Sequence, residues 1–141
     1  MLRIATAALL LVACNADARR KPIASCADDL AGTWSTPAGR WMMLDNGKTL
    51  EAYPLFDDSV TEGAPRLIDL KRGDAPNRLE GELKRRFMRR ADECESRAPV
   101  HVTRCEGDAL QVVRGDVTSP LTFAPCSFGQ SVPSHVETWH R

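Results

Sequence analysis

The chain has 141 residues, enough for one domain and too few for two ordinary ones. Its 19 basic and 19 acidic side chains cancel, which removes the general nucleic-acid affinity of a strongly basic chain. A hydrophobic share of 43% with 27% charged residues excludes both a disordered chain and a multi-pass membrane protein.

In chain order, Met1-Leu2-Arg3 supplies one positive charge, and Ile4 to Val12 follows without a charged group. Such a helix, at about 1.5 Å per residue, falls well short of the roughly 30 Å hydrocarbon core, so residues 1–13 read as a signal peptide rather than a span. The segment ends in Leu11-Val12-Ala13-Cys14, which resembles the lipobox of bacterial lipoproteins. The resemblance implies a diacylglycerol thioether on Cys14, cleavage just before it, and a protein held on a membrane of the bacterial cell envelope. Asn15 in place of Asp implies the outer rather than the inner membrane. Residues 14–25, with Arg19-Arg20-Lys21-Pro22, are polar and basic without periodicity and read as a flexible tether, leaving 26–141 as the domain.

From Gly32 onward, short apolar runs alternate with turn residues, the pattern of strands. Trp41-Met42-Met43-Leu44 reads as apolar on both faces, and Asp45-Asn46-Gly47 then signals a hairpin. Leu50, Ala52 and Phe56 share a face of the returning strand, where Pro54 marks an irregularity or an edge. Ile68 with Leu70, Val100 with Val102, Leu110 with Val112, Leu121 with Phe123, and Val136 to His140 supply further runs. Residues 77–90 fit a helix through the spacing of Leu79, Leu83 and Phe87, but Gly81 and the strand-like neighbours favour a strand. That strand carries Arg85 and Arg89 on the same face as Phe87. Seven or eight such strands predict an all-β domain, a small antiparallel meander barrel or sandwich.

With Cys14 taken by lipid, Cys26, Cys94, Cys105 and Cys126 remain, an even number that predicts two disulfides in an oxidising compartment. No Cys-x-x-Cys pair supports zinc, and no metal is expected. A meander favours Cys26–Cys94 with Cys105–Cys126, and leaves Cys94–Cys105 with Cys26–Cys126 open.

Leu30-Ala31-Gly32-Thr33-Trp34 resembles the Gly-x-Trp motif that opens lipocalin-like barrels. The resemblance implies that Trp34 plugs the closed end and that an arginine from the last strand packs on it. Sequence does not assign that arginine.

Charge is segregated: residues 45–69 hold two basic and six acidic groups, residues 71–104 ten basic and six acidic ones. If the second set forms one face, it meets an anion or an acidic partner. Arg72-Gly73-Asp74 and Arg114-Gly115-Asp116 resemble the integrin-binding tripeptide of adhesive proteins, although Gly-Asp also suits hairpin tips. His101, His135 and His140 lack metal-site spacing, and no catalytic motif or cofactor signature is present. Binding is therefore expected over catalysis, with no cofactor. The first expectation is a small or amphiphilic ligand in a barrel mouth at Arg85, Phe87 and Arg89, inside a pocket of some hundreds of Å³. The alternative is an interaction module with a filled interior, contacting another envelope protein or an anionic surface component.

Overall fold

The computed structural model describes residues 20–55 and 66–141. The signal peptide, Cys14 and Phe56 therefore lie outside the described residues. Within them the regular structure is ten strands and no helix: β1 (Gly32–Thr36), β2 (Gly39–Asp45), β3 (Thr49–Pro54), β4 (Arg66–Arg72), β5 (Leu79–Arg89), β6 (Asp92–Glu106), β7 (Ala109–Arg114), β8 (Pro120–Phe123), β9 (Cys126–Phe128) and β10 (His135–His140). Eight of them close an antiparallel barrel in which β1 to β7 follow one another and β10 joins β7 to β1, while β8 and β9 form a separate hairpin.

Alternation builds this barrel, since inward residues every second position make one apolar face. Trp34, Trp41, Met43, Leu50, Ile68, Leu70, Leu79, Leu83, Val100, Val102, Leu110, Val112 and Trp139 are all buried in one core. An eight-stranded barrel has room for packed side chains or for one small ligand, and here these buried side chains occupy its core. Trp41 and Trp139 meet across it with ring centroids 5.6 Å apart. β2 carries apolar residues on both faces but buries one: Trp41 and Met43 are buried whereas Leu44 is 50% exposed, because a closed single sheet turns its outer face to water.

Residues 79–89 form a strand, paired with β4 on one side and β6 on the other. Gly81 makes this possible, because a Cβ added there would lie 1.7 Å from the Asp69 carbonyl oxygen. The two strands coil against each other at a distance that only a glycine allows.

The start of β1, the β2–β3, β4–β5 and β6–β7 turns and the end of β10 share what we call the lower end. The β5–β6 turn, the end of β7, the start of β10 and the β8–β9 hairpin mark the upper end. The disulfides are Cys26–Cys105 and Cys94–Cys126, a third pairing that differs from both expected ones. The reason is strand parity. Pro37 and Ala38 turn the chain between β1 and β2 without an Asn-Gly or Asp-Gly signal, and this additional reversal swaps the ends at which all later turns fall. Cys94 then lies at the upper end beside the hairpin, and Cys105 at the lower end where the chain enters.

The folded body begins earlier than residue 26. Ile23 is buried and exchanges two backbone hydrogen bonds with Gly107, at 2.7 and 2.8 Å, so residues 23–25 belong to the domain rather than to the tether.

Candidate functional site

The lower end is sealed. Arg72 grips Asp45 through two hydrogen bonds of 2.6 and 2.5 Å, and also donates to the carbonyls of Cys26 and Asp28. Asp45 accepts in turn from the amides of Leu30 and Gly47. Burial pushes the Asp45 carboxyl upward, but the Arg72 guanidinium and the two amides outweigh it and hold it below the usual carboxylate range. This clamp fixes residues 26–30 across the barrel floor. Beside it, Trp34 is fully buried and donates its Nε1 to Leu30 O at 2.9 Å. Arg141, the residue after β10, lies with Cζ 5.1 Å from the Trp34 ring centroid and donates to the carbonyls of Asp29 and Ala31.

The upper end is more polar. Arg85, Phe87 and Arg89 all lie on the inward-facing phase of β5, as their spacing required. Arg85 is half-buried with Cζ 4.8 Å from the Phe87 ring centroid, and Phe87 is only 7% exposed. Arg89 is exposed with Cζ 6.0 Å from the ring centroid of Phe123 in β8. The Cys94–Cys126 bridge staples the hairpin against β6 beside Phe87, since Cys94 and Phe87 are register partners. Arg66 stands over Trp41 at 5.8 Å.

Among the described residues the most buried ion pair lies here, and the sequence did not announce it. Arg114 Nε donates to Glu137 Oε1 at 2.7 Å, with side chains 7% and 6% exposed. Trp139 Nε1 donates to the same oxygen at 2.7 Å, and His135 Nε2 lies 3.3 Å from the other. Burial pushes the Glu137 carboxyl up, but Arg114 and Trp139 overcome this and hold it below its ordinary value. The available signal was parity, for Glu137 shares the face of Trp139, so an inward Trp139 implies an inward Glu137.

Both Arg-Gly-Asp tripeptides are structural. Arg72 is committed to the floor clamp, and Arg114 is buried and paired with its own Asp116 at 2.8 Å. Neither guanidinium is presented for an adhesive contact. The basic residues of 71–104 do not gather into one cationic face either. Lys84 pairs with Asp69, Arg86 with Glu93, Arg78 with Glu80, and Arg97 with Glu82 and Glu95. On antiparallel strands the outward side chains stand opposite one another, so opposite charges written apart in sequence interleave into a mixed, neutralised face.

The His, Cys, Asp and Glu residues described include no group of three placed to hold a metal ion. A groove of about 340 Å³ runs beside β6, between Glu95–Pro99 and the segment that carries Asp116, Thr118, Phe128 and Val132. No protein family, curated protein or solved structure matches this chain.

Proposed function

We propose that this chain is a bacterial envelope lipoprotein whose acylated Cys14 holds a filled β-barrel on a membrane, the outer one by virtue of Asn15, where the barrel binds another envelope protein. The observation that carries the choice of a protein partner over a small ligand is the occupied interior. Trp34, Trp41, Trp139, Met43 and the aliphatic residues around them use the space a carried ligand would need. The Trp34–Arg141 stack supports a lipocalin-like architecture at the floor, while the packed centre argues against a carrier's use of it.

Anchoring rests on the lipobox and on reach. Eight residues lie between Cys14 and Ile23, nine steps that at about 3.5 Å each let the lower end stand no more than roughly 30 Å from the acyl chains. Two or three acyl chains hold such a protein on a bilayer, whereas one is marginal. The test is native mass spectrometry and in-cell crosslinking of the membrane-extracted protein from its host, with Cys14→Ser alongside. The expected results are an acylated N-terminal cysteine, release of the Cys14→Ser variant into the soluble fraction, and a crosslinked protein partner. A stoichiometric amphiphile co-purifying inside the barrel would replace the module with a carrier. An unmodified N-terminus in the detergent-poor phase would end the anchoring reading.

A further inference from the structure

Among the described residues, the upper half of β6 has no ladder partner on the side away from β5. β6 pairs with β5 continuously from Asp92 to Val102, with no shift of register. With β7 it pairs only from Val100 onward. β7 ends at Arg114, and the chain then leaves for the β8–β9 hairpin, so Asp92–Ala98 has a ladder on one side only.

Parity tells which main-chain groups face the vacant side. The N–H and C=O of one strand residue point the same way and those of the next point opposite. Pro99 O accepts from Gly115 N at 3.0 Å, which places Pro99 on the β7 side. Glu95 and Arg97 have the same parity, so their N–H and C=O face away from β5. Glu93 O, of the same parity, lies 3.4 Å from Cys126 Sγ, confirming the direction. Among the described residues, the Glu95 and Arg97 main-chain groups have no backbone partner on that side.

These groups open into the groove of about 340 Å³ that separates β6 from the Asp116–Ser134 excursion. Below it Gly115 N donates to Pro99 O, and above it Cys126 Sγ lies beside Glu93 O. Its far wall holds Phe128 and Val132, the latter 41% exposed. Its rim carries the carboxylates of Glu95 and Asp116, each on a cation it shares: Arg97 also serves Glu82 and Arg114 also serves Glu137, so four carboxylates meet two guanidiniums. Free ladder groups, an apolar wall and an acidic rim together specify a guest: short, extended, with one apolar side chain and one basic side chain.

We infer that the slot beside β6, walled by Phe128 and Val132, binds a short extended segment of a partner protein as an added strand, through the N–H and C=O groups of Glu95 and Arg97 and a basic side chain opposite Glu95 and Asp116. This rests on the reading of the protein as an interaction module and gives that reading a place and a partner chemistry. The segment takes the position in the ladder that β7 gives up.

The probe is a fluorescein-labelled Gly-Thr-Val-Lys-Val-Thr amide, titrated against the whole soluble domain with its disulfides intact. Two controls are the same peptide with Asp for Lys and one N-methylated on alternate residues. Arg97→Pro removes an N–H that β5 does not use, as Pro99 already does, so the barrel keeps its ladder. Arg97→Ala removes the same side chain and keeps the N–H. The expected result is saturable binding of the Lys peptide, weakened at least tenfold by Arg97→Pro, by N-methylation and by the Asp exchange, and changed less than threefold by Arg97→Ala. The amides of Glu95 and Arg97 should exchange quickly in the free protein and slow on binding. Equal binding to Arg97→Pro, no saturation at millimolar peptide, or slow exchange of both amides in the free protein would overturn the assignment. A concentration-dependent dimer abolished by Arg97→Pro would place a second copy in the slot and overturn it as well. A partner still crosslinked in cells to the Arg97→Pro protein would sink the slot but leave the interaction module standing.

Discussion

Replacing Arg114 by Met tests the buried pair at the upper end. Glu137 has a side chain 6% exposed and keeps its bond from Trp139, so loss of Arg114 leaves a carboxylate in the barrel wall without its counter-ion. Breaking one partner of such a pair costs about 3–5 kcal/mol, whereas replacing both by apolar residues of similar volume is near neutral. Glu137→Met alone leaves Arg114 with Asp116 but takes the acceptor from Trp139 Nε1, and should cost about 2–3 kcal/mol, the double variant no more than about 2 kcal/mol. The coupling between the two sites should then exceed about 3 kcal/mol.

Proton linkage gives a second readout with a definite sign. In the wild type the folded Glu137 carboxyl titrates below its ordinary value, so its stabilisation is present above about pH 4.3 and is lost as pH falls through the folded value. Without Arg114 burial dominates, the folded carboxyl moves above its ordinary value, and proton uptake accompanies folding. The deficit of Arg114→Met should then shrink by about 1–2 kcal/mol between pH 7 and pH 5. The assay is urea unfolding at both pH values in a His135→Gln background, which removes the imidazole 3.3 Å from the carboxylate. Additive single-site costs in the double variant, together with a deficit independent of pH, would refute the reasoning.

Three further outcomes follow from the fold. Gly81→Ala should destabilise the barrel by about 2 kcal/mol or more, because the new methyl meets a backbone carbonyl that has nowhere to go; an unchanged urea midpoint would contradict it. Asp45→Asn should cost about 1–3 kcal/mol at pH 7. Because the folded Asp45 carboxyl sits below its ordinary value, that difference should vanish as pH falls through the folded value; a difference that persists there would deny the clamp its charge. Non-reducing peptide maps should return Cys26–Cys105 and Cys94–Cys126. From loops of 79 and 32 residues, breaking the bridges should cost about 4.5 and about 4 kcal/mol respectively, read from variants with both cysteines of one bridge changed to serine.

What could be read from the chain was what alternation controls. Leu79, Leu83 and Phe87 face inward, and so do Val100, Val102, Leu110 and Val112, because a period of two leaves one way to bury them. The disulfide pairing was lost at a single turn, Pro37-Ala38, whose residues give no hairpin signal and whose omission reverses every later strand. The Arg114–Glu137 pair was hidden because a charged residue reads as a surface residue until its neighbour in the same phase is known to be inside. The slot beside β6 depends on where β7 stops, and strand ends are set by tertiary contacts rather than by local composition.

The closure of the barrel is lopsided. β5 and β6 share eleven register pairs, whereas β1 and β10 share only Ser35↔His140. A sheet joined this way unrolls first at that seam. Cys26, just ahead of β1, is bonded to Cys105 near the end of β6, so the strands between them form a covalent hoop that persists when β10 lets go. The cylinder can thus breathe along one line without losing its girth, and only a reductant that reaches the buried sulfurs would let it open flat.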